Sequence, residues 1–318
     1  MIGTMRRLGR LFHPQSAKSV ILALDHGASE GLIPGLAEIP LLMEGMKHLP
    51  VQGVMLNKGL ARASVGNLSL NTNVFVHLSA GTKHGLPTYN QSIVCSVTEA
   101  LRLGADALSV HLNIGNDLED RMLQDFGMVT DEAHGLGIPV MAVIYARGGQ
   151  IVNELDPSLI THCIRLGGEL GADVVCVPYS GDQRSFALGV ACCPVPVLIA
   201  GGPVQTSWKA TKAMISEALE AGASGVAMGR PIFQHKDPLR ALAEVCQLVH
   251  GGVQQTVSEQ IPSPPAQGGA TGDDEMGEDA FDAMAATTTT RARKSAVKSV
   301  QRRTAGKSVS STPKVRKK

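Results

Sequence analysis

A carboxylate, a phenol and two glycine-rich turns are the parts of this sequence that could do chemistry. Asp25 and Tyr145, if held together, could move protons next to a carbonyl. The turns Gly201-Gly202-Pro203 and Gly229-Arg230 could close on an anion. Glycines let backbone N–H groups approach a phosphate, and Arg230 could add a charged fork. Each feature also has a plainer explanation. Tyr145 could be a packing residue, Asp25 a turn former, and the glycines tight βα turns. His26 reads more readily as a satisfied turn histidine than as a catalyst. The functional reading therefore depends on whether the fold gathers these residues.

The elements that would gather them are short apolar runs at 20–27, 53–59, 73–80, 106–115, 139–148, 173–181, 196–203 and 224–233. These runs are continuously apolar rather than alternating, as expected of parallel strands covered by helices. Helix-patterned segments lie between them. SVTEALRLGA, DPSLITHCIRLGGELGA and SWKATKAMISEALEAGA each open on Ser or Asp and close on Gly-Ala. Eight strands, most followed by a helix, predict a (β/α)8 TIM barrel over residues 1–254, against the alternative of an open doubly wound sheet. No GxGxxG follows the first strand. Barrel active sites sit at the C-terminal strand ends. That rule brings Asp25, His26, Tyr145, Arg147 and both glycine turns to one mouth, with Cys176 on strand six.

Composition sets further bounds. The chain has 318 residues, 43% hydrophobic and only 3% aromatic. That excludes rows of stacking aromatics for nucleic acid. No apolar run of eighteen residues suggests a membrane span, and the basic start has no secretory pattern. Six dispersed cysteines form no CxxC, which predicts a reducing, cytoplasmic setting and no metal site.

The net charge of +1 conceals a split. Residues 291–318 carry eleven Lys/Arg and no acid, and residues 255–290 carry seven acids and no Lys/Arg, leaving 18 bases and 21 acids before them. Residues 255–318 are therefore expected to be a disordered tail, acidic then basic. The basic half could bind an acidic partner or nucleic acid through charge alone, or could fold back on the acidic half.

With these motifs assembled, the chain resembles the archaeal-type class I aldolases, the DeoC/LacD/FbaB or DhnA-type group. That group includes fructose-bisphosphate aldolase, aminodideoxyheptulosonate synthases and LsrF-like thiolases. The resemblance runs from Met5 to about Leu248 and is carried by ILALDHGASEGLIPGL, SVTEALRLGADALSVHLNIG, IPVMAVIYARGG, ADVVCVPYSGD, VPVLIAGGP and GVAMGRPIFQ. It implies a barrel that cleaves or forms a carbon–carbon bond in a phosphorylated sugar or ketone, in a homo-oligomer, with no cofactor. It implies that Tyr145 moves the proton, that Asp25 assists, and that Gly201, Gly202, Gly229 and Arg230 hold phosphate. His26 and Arg147 are assigned to substrate binding.

The family's strand-six lysine, which forms the Schiff base, is replaced here by Cys176. A thiol cannot make an iminium. Three accounts compete: Lys58 at the end of strand two supplies the amine, Cys176 acts as an LsrF-like acyl-transfer nucleophile, or the barrel is a sugar-phosphate-binding pseudoenzyme.

Overall fold

The computed structural model describes residues 2–64, 66–202 and 207–251. Residues Met1–Thr256 form one unit. The expected tail, 255–318, and with it the basic stretch 291–318, lies outside the described residues.

Eight parallel strands close into a barrel: β1 (Ser19–Ala23), β2 (Gly53–Asn57), β3 (Asn73–His77), β4 (Ala107–Ile114), β5 (Val140–Ala146), β6 (Val174–Val177), β7 (Val197–Ala200) and β8 (Gly225–Met228). Each pairs with its sequence neighbours, and β1 closes on β8. β1, β7 and β8 stop before the mouth residues that the apolar runs included, because those residues turn into the βα loops, whereas Tyr145 stays within β5 and Cys176 within β6.

Alternation along each strand builds two cores. The outward set, including Val20, Leu22, Val54, Leu56, Val76 and Val110, packs under the surrounding helices. The inward set, including Ile21, Met55, Phe75, Met141, Val174, Cys176 and Leu198, fills the barrel. Burial of both strand faces explains the continuous apolar runs.

The helices begin where their caps sit. Ser96, Asp156 and Ser207 each accept a backbone N–H of the first helical turn, opening Val97–Arg102, Pro157–Glu169 and Trp208–Glu220. The basic start of the chain is itself a helix, Ile2–Arg10. Arg7 donates to Gly137 O at 2.7 Å, and Arg10 pairs with Asp106 at 2.9 Å. These contacts tie the helix across the N-terminal strand ends, and Leu8, Leu11 and Phe12 close the barrel interior there.

Candidate active site

Two adjoining cavities open at the C-terminal strand ends. The inner one, about 120 Å³, is lined by Asp25, His26, Tyr145, Cys176 and Arg230 together with Gly201, Gly202 and Gly229. The outer one, about 550 Å³, reaches from Asp25 and Arg147 across β3 and β4 to the 81–91 connection. Asp25, His111 and Arg147 line both. The fold thus gathers the carboxylate, the phenol, the thiol and both glycine turns.

Asp25 lies two residues past the end of β1. Its carbonyl accepts from Asn57 Nδ2 at 2.6 Å, which fixes the turn. Its Oδ2 lies 3.9 Å from His77 Nε2, and its Oδ1 lies 3.6 Å from His26 Nδ1. Neither Asp25 Oδ1 nor His26 Nδ1 has a hydrogen-bond partner, although both are buried. His26 also meets Phe233 edge-on, with ring centroids 5.3 Å apart.

Tyr145 lies near the end of β5 beneath two other groups. The Arg147 guanidinium sits 4.2 Å from its ring centroid, and the His111 ring is 5.1 Å away. Burial pushes the phenol above its usual range, with Cys176 adding to the effect, so the hydroxyl keeps its proton. Arg147 is fastened by Glu154, whose Oε2 accepts from Nε at 2.8 Å.

Cys176 is 1% exposed and pairs in register with Val143 and Leu198. Burial, and secondarily Asp25, push its thiol up to about 12, so it is not a thiolate near neutral pH. Lys58 does not reach the cavities. Inward alternation uses Asn57, and the next residue turns outward to open the helix Lys58–Ala63. The Lys58 Nζ pairs with Glu99 at 3.2 Å. The expectation of a rim amine at Lys58 is corrected accordingly: it faces the helix Val97–Arg102, not the mouth.

The two glycine turns meet at Arg230. Its Nη2 donates to Gly202 O at 3.3 Å, and its Nη1 lies 3.5 Å from Glu30 Oε1. An incoming anion therefore competes with Glu30 for the fork. Gly229 is required by contact, since a Cβ there would come within 2.3 Å of Ala23 O. Gly202 has φ +61°, a conformation that favours glycine.

Several site residues were not assigned a role from sequence. His77 lies at the end of β3, two residues beyond inward-facing Phe75, and is held 2.8 Å from Ser109 Oγ. Burial pushes it below its ordinary range, against the pull of Asp25, and keeps it neutral. His111 Nε2 donates to Asn113 Oδ1 at 3.0 Å, because Asn113 Nδ2 is committed to Tyr89 O at 2.6 Å. Burial, then His77, push His111 down to about 3. The strand-end rule, applied to β3 as to the others, selects His77; Glu30 carries no such signal.

A family model described as DeoC/LacD family aldolase matches residues 19–235. The 2-amino-4,5-dihydroxy-6-oxo-7-(phosphonooxy)heptanoate synthase of Streptomyces griseus is 35% identical over 244 residues, covering 77% of this chain and 89% of that protein. The fructose-bisphosphate aldolase class 1 of Thermoproteus tenax is 31% identical over 245 residues, covering 74% and 90%. A solved archaeal fructose-1,6-bisphosphate aldolase, with its catalytic Lys covalently bound to the carbinolamine intermediate of its substrate, superposes with a TM-score of 0.71 at 29% identity. That likeness covers 78% of this chain and 100% of the solved one. With the barrel, the mouth geometry and these likenesses in agreement, the chain belongs to the DeoC/LacD family of aldolases.

Proposed function

We propose that the barrel mouth binds a phosphorylated ketone or sugar and carries aldol-type carbon–carbon bond chemistry on it. One observation carries this reading: a single small cavity is lined by Asp25, Tyr145, Arg230 and the three glycines of the β7 and β8 turns. Phosphate would sit against Gly201, Gly202 and Gly229, with Arg230 exchanging Glu30 for the anion. The carbon skeleton would then lie over Asp25, Tyr145 and Cys176, with His26 and Arg147 at its sides. The relatives' names, which carry phosphonooxy or bisphosphate groups, support the same ligand class.

A second reading, a sugar-phosphate-binding protein without turnover, is favoured by Cys176, which cannot form the iminium that the family's lysine forms. Acyl transfer by Cys176 is less well supported, because a thiol pushed up to about 12 is protonated at neutral pH. A reducing, cytoplasmic setting, expected from the dispersed cysteines, also stands as a proposal.

Homo-oligomerisation, and binding of an acidic partner or nucleic acid by residues 291–318, also stand as proposals. Sedimentation checks the first. Salt-sensitive duplex binding that is lost on deleting 255–318 checks the second.

The test of the phosphate site is a calorimetric titration with dihydroxyacetone phosphate. Arg230→Ala should weaken binding by about tenfold or more, as for loss of a charged hydrogen bond of about 1.5–3 kcal/mol. Lys236→Ala, which lines neither cavity, should leave binding unchanged. Equal effects would contradict the phosphate site. Cleavage of fructose 1,6-bisphosphate by the same preparation separates turnover from binding alone.

A further inference from the structure

The inner cavity contains the parts of a carbonyl-enolising site that needs no amine. The Asp25 carboxylate lines the inner cavity, with Oδ1 buried 3.6 Å from His26 Nδ1 and Oδ2 3.9 Å from His77 Nε2, both beyond hydrogen-bond distance. A carboxylate in a cavity that no donor ties down can accept a proton. Tyr145 shares the cavity and keeps its hydroxyl proton. A carboxylate base beside a neutral hydroxyl donor is a recurring arrangement for abstracting a proton next to a carbonyl.

The surroundings suit that division of labour. Burial holds His77 and His111 below their ordinary range, so neither forms a full ion pair with Asp25, and His26 Nδ1 stands 3.6 Å from Oδ1, beyond hydrogen-bond distance. The His111 Nε2–H is committed to Asn113, which leaves Nδ1 as an acceptor for a substrate hydroxyl. Among the described residues, no lysine lines the inner cavity, and Lys83 alone lines the outer one.

We propose that this chain enolises a phosphorylated ketone directly, without an iminium. This rests on the phosphate reading above. Asp25 removes a proton from the carbon next to the carbonyl. The C–H pair becomes the new C=C bond, and the carbonyl π pair moves onto oxygen. The Tyr145 hydroxyl donates a hydrogen bond to that oxygen as its charge grows. The proton rests on Asp25, and its return restores the ketone. No oxidant, reductant or second substrate is required. When the proton on Asp25 exchanges with solvent before returning, the ketone acquires solvent hydrogen.

The test follows dihydroxyacetone phosphate in D₂O by ¹H NMR with the full-length protein, after calorimetry has established binding. The expected result is protein-dependent loss of the hydroxymethyl proton signal. Asp25→Asn should slow that exchange by about 10²-fold or more while binding stays within a few fold. Tyr145→Phe, a smaller change, should slow exchange with binding kept within a few fold and serves if Asp25→Asn fails to fold by circular dichroism. Identical purification of both variants accounts for any contaminating isomerase, since exchange that persists in both would overturn the proposal. Binding without exchange overturns this inference alone. Absence of binding overturns the phosphate reading and this inference with it. Exchange that borohydride quenches, with a mass adduct on Lys83 or another lysine, also overturns it by routing the chemistry through an amine.

Discussion

Asp25 is positioned through its backbone, by Asn57 donating to its carbonyl, while its side chain keeps one oxygen unpartnered among buried groups. His26, His77 and His111 complete that environment, and the last two lie below their ordinary titration range because burial disfavours their charged forms. This has a consequence for stability. The folded-state value of His111, about 3, lies below the unfolded value of 6.5, so the unfolded chain binds a proton that the native site refuses. Its neutral form is accommodated without penalty above pH 6.5, and stability is lost as pH falls from there towards about 3. His111→Gln should reduce the slope of unfolding free energy against pH by up to about 1.4 kcal/mol per pH unit between pH 4 and 6. Denaturant unfolding across that range checks this, and an unchanged slope would contradict it.

Residue types at the site were legible in part. Asp25, Tyr145, Cys176 and the glycine turns follow from the strand-end rule once the barrel is counted. The direction of Lys58 does not, because one residue past a strand end decides between mouth and outer face. Glu30 gives no sequence signal at all, since its partnership with Arg230 spans 200 residues.

At the scale of elements, local signals were strongest where a side chain caps its own helix, as Ser96, Asp156 and Ser207 do. They were weakest where distant contacts hold a segment. The connection after β3 carries two short antiparallel strands, Ser79–Ala80 and Ser92–Ile93, instead of leading straight into a helix. Arg121, from the helix after β4, donates to Gln91 O at 2.8 Å, and Tyr89 donates to Asp117 at 2.6 Å. These bonds make the polar stretch 82–92 a wall of the outer cavity, a role its composition does not reveal. The N-terminal helix is a similar case, held by Arg7 and Arg10 against remote strand ends. Just beyond it, Leu11 is 1% exposed and plugs the barrel floor. Leu11→Ala should cost about 2–5 kcal/mol by leaving a cavity there. Because the mouth is at the opposite end of the strands, ligand binding under native conditions should persist. Chemical denaturation gives the cost, and a loss below about 1 kcal/mol would show that the helix does not seal the barrel.

For the whole molecule, the chain is a family barrel whose mouth carries a buried thiol, Cys176, on β6. The fold places Cys176 in the cavity that Tyr145 and Asp25 also line, and no lysine among the described residues lines it. The most direct test is borohydride reduction in the presence of dihydroxyacetone phosphate, read by intact mass and peptide mapping, on the wild type and on Cys176→Lys. No adduct is expected on the wild type, and an adduct is expected at position 176 of the variant. A wild-type adduct on any lysine, or a variant that binds the ketone phosphate yet gives no adduct, would contradict that expectation.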